Sequence, residues 1–278
     1  MTERARLLFG PAGVPHSAPS RSTVAGVEEV SRLGLDCMEV EFVQGVRMSE
    51  AGALEVGRVS AEHRVKLSAH GPYFINLNAG EEEKVIASQE RIYQTAHIAH
   101  LFGGTGVVFH AAFYLKDPPE RVYETVKRNL AVVVNRLVKE GKRIWLYPET
   151  TGKVTQFGTL EEILRLSQEL EWVAPCIDFA HLHARTGRLN SYQEFSWMLD
   201  QVGEKLGRKA LENLHIHVSG IEYGKQGEKK HLNLRESDFR FEELLQALKE
   251  HNARGLVIAE SPNLEEDALL LKRTYERL

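Results

Sequence analysis

The chain has 278 residues, of which 42% are hydrophobic and 27% are charged, an ordinary composition for a globular protein. This length suits one large α/β domain or two small ones, and we expect a single domain over residues 1–278. The net charge of −4 argues against a surface that binds polyanions generally. It does not exclude a local basic groove, or a bound metal whose positive charge the count omits.

The cysteines and the N-terminus indicate the expected location. Cys176 falls in a predicted strand and Cys37 directly precedes one, and a buried, reduced thiol is the expected state of both. The N-terminal residues lack the apolar core of a signal peptide, and no run approaches the ~20 apolar residues of a membrane span. We therefore expect a soluble, cytoplasmic protein with no membrane partner and no obligate protein partner.

Short apolar runs alternate with helical patterns along the chain. In order, the predicted strands cover residues 7–10, 38–42, 65–70, 106–110, 144–149, 174–178, 214–218 and 256–260. The predicted helices include one capped by Ser22, one over residues 81–101, and one whose capping box pairs Thr159 with Glu162. The polar residues 219–235 are predicted to form a long functional loop.

The eight strand–helix alternations predict the fold class. Such alternation is typical of a parallel sheet, and eight units in about 250 residues favour a closed α/β barrel, the (β/α)8 or TIM barrel. An open doubly wound sheet is the alternative. It would normally carry a glycine-rich phosphate turn after the first strand, and residues 10–13, Gly-Pro-Ala-Gly, match that turn poorly.

Six successive predicted strands carry, at or near their carboxyl ends, side chains that can bind a metal. They are His70, His110, Glu149, Asp178, His217 and Glu260. In a parallel barrel the carboxyl ends of all strands meet at one rim, so these side chains are expected to converge. Histidine and carboxylate donors without a thiolate suit Zn²⁺, Mn²⁺ or Fe²⁺, and Glu149 could bridge two ions. Two ions about 3.5–4 Å apart can activate water and stabilise the leaving oxygen in phosphoester cleavage.

Two histidines compete for one ligand position. His215 and His217 are two residues apart, so they share one face of their strand. His217 lies nearer the rim and is the preferred ligand, while His215 is the alternative. His181 follows Asp178 by about one helical turn and can reach the same rim.

Five short motifs form a recognisable set. Residues 68–73 read Ser-Ala-His-Gly-Pro-Tyr, residues 149–152 read Glu-Thr-Thr-Gly, and residues 178–181 read Asp-Phe-Ala-His. Residues 217–219 read His-Val-Ser, with His231 downstream, and residues 260–262 read Glu-Ser-Pro. Together and in this order, the motifs resemble those of the endonuclease IV family of apurinic/apyrimidinic endonucleases, within the xylose isomerase-like TIM barrels.

The resemblance implies a TIM barrel with a trinuclear zinc site that acts on DNA containing abasic sites. The ligands it implies are His70, His110 and Glu149 for one ion; Glu149, Asp178, His217 and Glu260 for the second; and His181 and His231 for the third. Tyr73 matches the tyrosine that the family places beside the flipped-out abasic site.

The third ion is where this chain departs from the family pattern. The family pairs its last histidine with an aspartate two residues earlier, and that position here is Lys229. Glu228 could replace the aspartate, but the adjacent Lys229 and Lys230 would repel a cation. Lys225, Lys229 and Lys230 could instead contact phosphate, or the segment could be a solvated charged loop. The sequence is therefore compatible with two or three ions.

Three functions are compatible with these residues. The first is metal-dependent incision of DNA on the 5′ side of abasic sites, with Glu149 and Glu260 as the catalytic carboxylates. The second is a sugar isomerase or epimerase with one or two divalent ions, in which the same carboxylates move protons. Loss of the third metal would favour that second function. The third is a metal-bound protein that binds nucleic acid without cutting it, against which the complete two-metal ligand set argues.

Overall fold

The computed structural model describes residues 6–278. Its strands are β1 (Leu7–Pro11), β2 (Cys37–Glu41), β3 (Lys66–His70), β4 (Gly106–Phe109), β5 (Ala112–Phe113), β6 (Trp145–Pro148), β7 (Gln156–Phe157), β8 (Cys176–Asp178), β9 (Leu214–Val218), β10 (Gly220–Gly224), β11 (Gly227–Leu232) and β12 (Gly255–Ala259). Its helices are α1 (Thr23–Arg32), α2 (Glu50–His63), α3 (Glu82–Leu101), α4 (Pro119–Lys139), α5 (Leu160–Glu169), α6 (Phe179–Thr186), α7 (Tyr192–Leu206), α8 (Arg208–Leu211), α9 (Phe241–Glu250) and α10 (Glu265–Arg277).

Eight of these strands form a closed parallel barrel, which confirms the predicted fold class. The strands pair in two parallel sheets, β1-β12-β9-β8 and β2-β3-β4-β6. Isolated parallel bridges join the sheets: Ala12 pairs with Glu39 at one seam, and Leu146 with Val173 and Glu149 with Cys176 at the other. Backbone hydrogen bonds of 2.9–3.1 Å cross both seams.

The helices surround the barrel because each presents an apolar stripe to it. In α4, the buried residues recur every three or four positions and form one face: Val122, Tyr123, Val126, Leu130, Val133, Val134 and Leu137. The predicted capping box of α5 is confirmed, since the Thr159 and Glu162 side chains each accept a hydrogen bond from the other's backbone N–H. The main core therefore lies between the helices and the outer face of the strands.

The barrel interior is different in character from that outer core. Two small apolar clusters line it, one around Cys37 and Ile258 and one around Val108 and Tyr147. Between these clusters and the rim, the interior is filled by buried polar side chains. Both cysteines are buried and unpaired, as the sequence predicted.

The segment predicted as a long polar loop is instead structured. Residues 220–232 form the antiparallel hairpin β10–β11, followed by a 3₁₀ turn over Leu234–Glu236. The hairpin is fixed by contacts that are distant in sequence: Tyr223 donates a hydrogen bond to Asp238, which also lies 3.3 Å from His183. Gly227 has φ 89°, and a Cβ there would meet the Gly152 carbonyl oxygen.

Further short elements were not predicted. Helix α6 begins directly at the end of β8, and the two-residue strands β5 and β7 pair beside the rim. None of the helices within residues 6–278 combines the length and the apolar character that a membrane crossing requires. The prediction about a signal peptide concerns the N-terminus, and residues 1–5 lie outside the described residues.

Candidate metal centre

The strand ends bring the six predicted side chains to one rim of the barrel. His70 is the last residue of β3 and Asp178 the last residue of β8, while His217 is the penultimate residue of β9. The other three each follow a strand directly: His110 follows β4, Glu149 follows β6, and Glu260 follows β12. All six therefore face the space above the barrel interior, as parallel strands require.

Glu149 lies at the centre of this arrangement and is buried. Its Oε2 is 2.9 Å from His110 Nε2 and 3.3 Å from His70 Nε2. Its Oε1 is 3.2 Å from His217 Nδ1 and 3.2 Å from His181 Nδ1. The two oxygens of one carboxylate thus face two different sets of donors.

The predicted ligands form groups of ligating size. Three groups have ligand atoms within 4.8 Å of one another: His70, His110 and Glu149; Glu149, Asp178, His217 and Glu260; and Asp178, His181, His231 and Glu260. His217 Nδ1 is also 3.3 Å from Glu260 Oε1. The first two groups share Glu149, as a bridging carboxylate would.

The hairpin brings an additional carboxylate to the third group. A β-bulge in β11 makes Lys229 an extra residue, so that Glu228 pairs with Tyr223 while His231 pairs with Ile221. Glu228 and His231 therefore share one face of the hairpin despite being three residues apart. Glu228 Oε2 is 3.6 Å from His181 Nε2, and its Oε1 is 3.9 Å from His231 Nε2.

Gly152 leaves the space that Glu228 occupies. A Cβ at Gly152 would lie 2.6 Å from Glu228 Cβ and 2.9 Å from its Oε2. The Glu228 backbone N–H also donates a 3.0 Å hydrogen bond to the Gly152 carbonyl. Gly152, the last residue of the Glu-Thr-Thr-Gly motif, is thus a steric requirement for this carboxylate to approach His181.

Backbone carbonyls orient three of the candidate histidines. His70 Nδ1 lies 2.8 Å from the Gly71 carbonyl oxygen, and His181 Nδ1 lies 3.0 Å from that of Thr150. His231 Nδ1 lies 3.2 Å from the carbonyl oxygen of Glu260. Donation from Nδ1 leaves Nε2 of each ring as a lone-pair donor toward the centre, the state that a metal requires.

Several buried carboxylates lie close together in the centre, and neighbouring histidines stabilise their negative charge. Burial opposes ionisation of Glu149 and Glu260, but His110 and His217 lower the pKa of Glu149 and His217 lowers that of Glu260 to about 2. Although burial opposes its protonation, the Glu149 and Glu41 carboxylates raise the pKa of His70 to about 10. Burial raises the pKa of Asp178 to about 7. The protons on these histidines compensate the negative charge of the carboxylates, as a divalent cation bound at the same place would.

Buried carboxylate oxygens without a hydrogen-bond partner indicate whether the side chains of the centre fit a metal ion. Among the described residues, buried carboxylate oxygens without a hydrogen-bond partner include Asp178 Oδ2, Glu260 Oε2 and Glu41 Oε1. A buried polar atom without a partner costs about 1–3 kcal/mol, so such atoms are rare unless an ion or water satisfies them. Together with the nitrogen donors, the residues fit divalent metal ions that accept histidine and carboxylate ligands.

The remaining predicted site residues lie around this centre. Tyr73 is 57% exposed, and its ring centroid is 5.9 Å from that of His70. Lys229 is exposed on the hairpin, with its ammonium group 3.2 Å from Glu222. His215 lies below the rim, 2.9 Å from Glu39, with its ring centroid 4.8 Å from that of Tyr147.

Sequence reasoning missed two carboxylates of β2, one buried and one half-buried. Glu39 is fully buried beneath the rim, and Glu41 stands at the rim end of the strand, in register with His70. Burial raises the pKa of Glu41 to about 8. The available signal was the alternation of residues 37–41, Cys-Met-Glu-Val-Glu, which directs both glutamates to the same face of the strand.

Comparison with known proteins identifies the family. The xylose isomerase-like TIM-barrel family matches residues 27–276, and this chain therefore belongs to that family. An uncharacterized protein of Methanocaldococcus jannaschii is 44% identical over 279 residues, covering all of both chains. A probable endonuclease 4 of Halorhodospira halophila is 25% identical over 219 residues, which cover 75% of this chain and 71% of that protein.

Solved structures agree on the fold and include two kinds of enzyme. Endonuclease IV from Thermus thermophilus superposes with a TM-score of 0.71 at 20% identity, covering 96% of this chain and 98% of that chain. A D-tagatose 3-epimerase-like protein superposes with a TM-score of 0.72 at 19% identity, again covering 96% of each chain. At these identities the similarity establishes the fold alone.

Proposed function

We propose that this protein is a metal-dependent phosphodiesterase that incises DNA on the 5′ side of abasic sites. The observation that carries this proposal is the position of Glu149, whose two oxygens face separate donor sets. A carboxylate in that position can bridge two ions, which phosphoester cleavage uses and single-ion proton transfer does not need. Sequence similarity to a probable endonuclease 4 supports the same reading.

The protein's residues would divide the chemistry among them. Zn²⁺ ions, or Mn²⁺ or Fe²⁺ in the same positions, would activate water and stabilise the leaving 3′ oxygen. Glu149 would hold the two metal positions together, while His70 and His110 flank one of its oxygens and His217 the other. Glu260, with one oxygen 3.3 Å from His217 and the other free of hydrogen bonds, would be the second catalytic carboxylate and would stay ionised beside the metal positions.

We further propose that the centre holds a third ion, with Glu228 in the role that the aspartate has in endonuclease IV enzymes. The bulge at Lys229 supports this, since it turns Glu228 toward His181 and His231. The same bulge turns Lys229 outward, where Glu222 compensates its charge. The repulsion expected from Lys229 therefore does not oppose a cation beside Glu228.

Binding of an abasic site would use the exposed groups at the rim. Tyr73 offers an exposed aromatic face beside His70 and His110, suited to contact a flipped-out deoxyribose. An abasic nucleotide has no base pair to break, which favours damaged over intact DNA. Lys229 and the lysine at the hairpin turn, Lys225, would contact backbone phosphates, giving salt-dependent affinity.

An incision assay tests the proposed function. The purified, zinc-loaded protein is incubated with a duplex that contains one abasic analogue, with an undamaged duplex as the control substrate. We expect a single cut on the 5′ side of the abasic site, and at least a 10³-fold lower rate for E149Q because it loses the bridging charge. Absence of cutting by the zinc- and manganese-loaded protein, while a known endonuclease cuts the same duplex, would refute the proposal.

A sugar isomerase or epimerase is the second candidate function. The group formed by Glu149, Asp178, His217 and Glu260 favours it, because one ion and two carboxylates suffice for proton transfer beside a carbonyl. Exchange of a sugar C–H proton with solvent deuterium would support this function. Salt-sensitive DNA binding with neither cutting nor exchange would instead indicate a non-catalytic nucleic-acid-binding protein. For each function we propose a cytoplasmic location, consistent with the two unpaired, buried thiols.

A further inference from the structure

Glu39 is a buried carboxylate that is not among the predicted metal ligands or catalytic residues. It lies in the middle of β2, inside the barrel, and is 0% exposed. The Ser68 hydroxyl donates a 2.7 Å hydrogen bond to its Oε2, and His215 Nε2 lies 2.9 Å from the same oxygen. Its Oε1 is 2.9 Å from His217 Nε2. Burial of a carboxylate costs free energy unless fixed partners compensate its charge, so we expect Glu39 to have a specific role.

His217 differs from the other candidate ligands in how its ring is held. The outer nitrogens of His70, His181 and His231 meet backbone carbonyls. His217 stands within a strand and points its Nε2 into the barrel interior, where it meets Glu39, with the Cys176 thiol nearby. The contact has the length of a hydrogen bond without its alignment, and neither atom has another hydrogen-bond partner.

We propose that Glu39 is the positioning residue of the metal centre. Its carboxylate holds the His217 ring with Nε2 downward, so that Nδ1 faces Glu149 and Glu260 at the rim. Ser68 and His215 in turn hold the Glu39 carboxylate. This inference rests on the proposed metal role of His217 and assigns His215 a place beneath the ligands.

The chemistry of metal-bound histidines explains what Glu39 would contribute. A carboxylate behind a ligating imidazole fixes its tautomer and increases its basicity as a ligand. Loss of such a partner typically weakens metal binding by about 10–100-fold. Because Glu39 lies below the rim, it would act on substrate only through His217.

The test compares E39Q with D36N. Glutamine retains the size of Glu39 but removes its charge. Asp36 adjoins the other end of β2, where it is held by Arg6 and Lys272 away from the centre, so D36N controls for the loss of a paired carboxylate near the same strand. Each protein is titrated with Co²⁺, and stoichiometry, dissociation constants and the visible absorption spectrum are recorded.

We expect E39Q to bind the ion at His217 about 10–100-fold more weakly, with an altered cobalt spectrum, and D36N to match the wild type. Wild-type affinity and spectrum in E39Q would overturn the proposal. If E39Q does not fold, S68A provides the answer, because it removes one support of Glu39: weaker cobalt binding supports the proposal and unchanged binding overturns it.

The cobalt spectra also test a competing arrangement, in which His217 binds an ion inside the barrel instead of contacting Glu39. Cys176, His215 and His217 have donor atoms within 4.8 Å of one another inside the barrel. A thiolate-to-cobalt charge-transfer band that disappears in C176S would place an ion there and overturn the positioning role. Since no readout uses DNA, a protein that binds cobalt as expected but does not cut DNA would refute only the proposed function.

Discussion

At the scale of single residues, Glu149 shows how the centre balances its charges. The side chain is 1% exposed, and four histidine nitrogens lie within 3.3 Å of its two oxygens. Breaking a buried pair by removing one partner typically costs about 3–5 kcal/mol, because the other partner stays buried without compensation. Glu149 is therefore expected to contribute both to the stability of the rim and to the proposed reaction.

A matched pair of variants decides which histidine is the ligand at β9. H217N removes a nitrogen that faces Glu149 and Glu260, so we expect one fewer zinc ion per protein by elemental analysis and at least a 100-fold lower activity. H215N removes a group that contacts Glu39 below the rim and should retain the full complement of ions. Loss of an ion in H215N with retention in H217N would reverse the assignment.

Individual residues differ in how far the sequence could predict them. The strand-end donors were predictable because a parallel barrel places all carboxyl ends at one rim, which the structure shows for all six. Glu39 was not, because its contacts with Ser68, His215 and His217 join residues that are remote in sequence. Glu228 could be named as a substitute for the aspartate, but its approach to His181 could not be predicted. The approach of Glu228 depends on a bulge and on a glycine 76 positions away, and no local pattern carries that information.

At the scale of elements, the hairpin β10–β11 is the part that sequence reasoning described wrongly. Its residues carry charge where a predictable strand would alternate apolar and polar side chains, as Glu222, Lys229 and Lys230 illustrate. Tertiary contacts to Asp238 and Gly152 stabilise it instead. The barrel strands, in contrast, are short apolar runs between helices, so their positions were predicted to within one or two residues.

The close contact between Gly152 and Glu228 allows a test of the proposed third ion site. In G152A the new Cβ would clash with Glu228, so we expect the zinc content to fall from three ions to two, with activity reduced at least tenfold. G80A is the matched control, because a Cβ at Gly80 meets nothing within 4 Å and that position is remote from the hairpin. Retention of three ions in G152A, measured by elemental analysis, would show that Glu228 is not a ligand.

At the scale of the whole molecule, the centre spans the two sheets that make the barrel. His70, His110 and Glu149 come from the sheet β2-β3-β4-β6, whereas Asp178, His217 and Glu260 come from the sheet that contains β8, β9 and β12. Only isolated bridges join the sheets at their seams. Ions bound by both sheets would therefore stabilise the closed barrel against opening.

Removal of the metals should lower the stability of the whole protein. An ion present at a hundred times its dissociation constant stabilises the folded state by about 2.7 kcal/mol, which corresponds to a Tm shift of about 5–10 °C for a protein of this size. We expect chelator treatment to lower Tm by at least this amount and added zinc to restore it, as measured by calorimetry. An unchanged Tm would mean that the centre does not hold ions in the folded protein.

The sharing of Glu149 between two donor groups also bears on the assembly of the barrel. One sheet carries a complete set of three donors, so a partly formed barrel could already capture an ion there. The second set lacks its shared carboxylate until the seam beside Glu149 closes against Cys176. A chain that stalls before closure would thus remain under-loaded, and full metal content would serve as a quality check that the barrel has been completed.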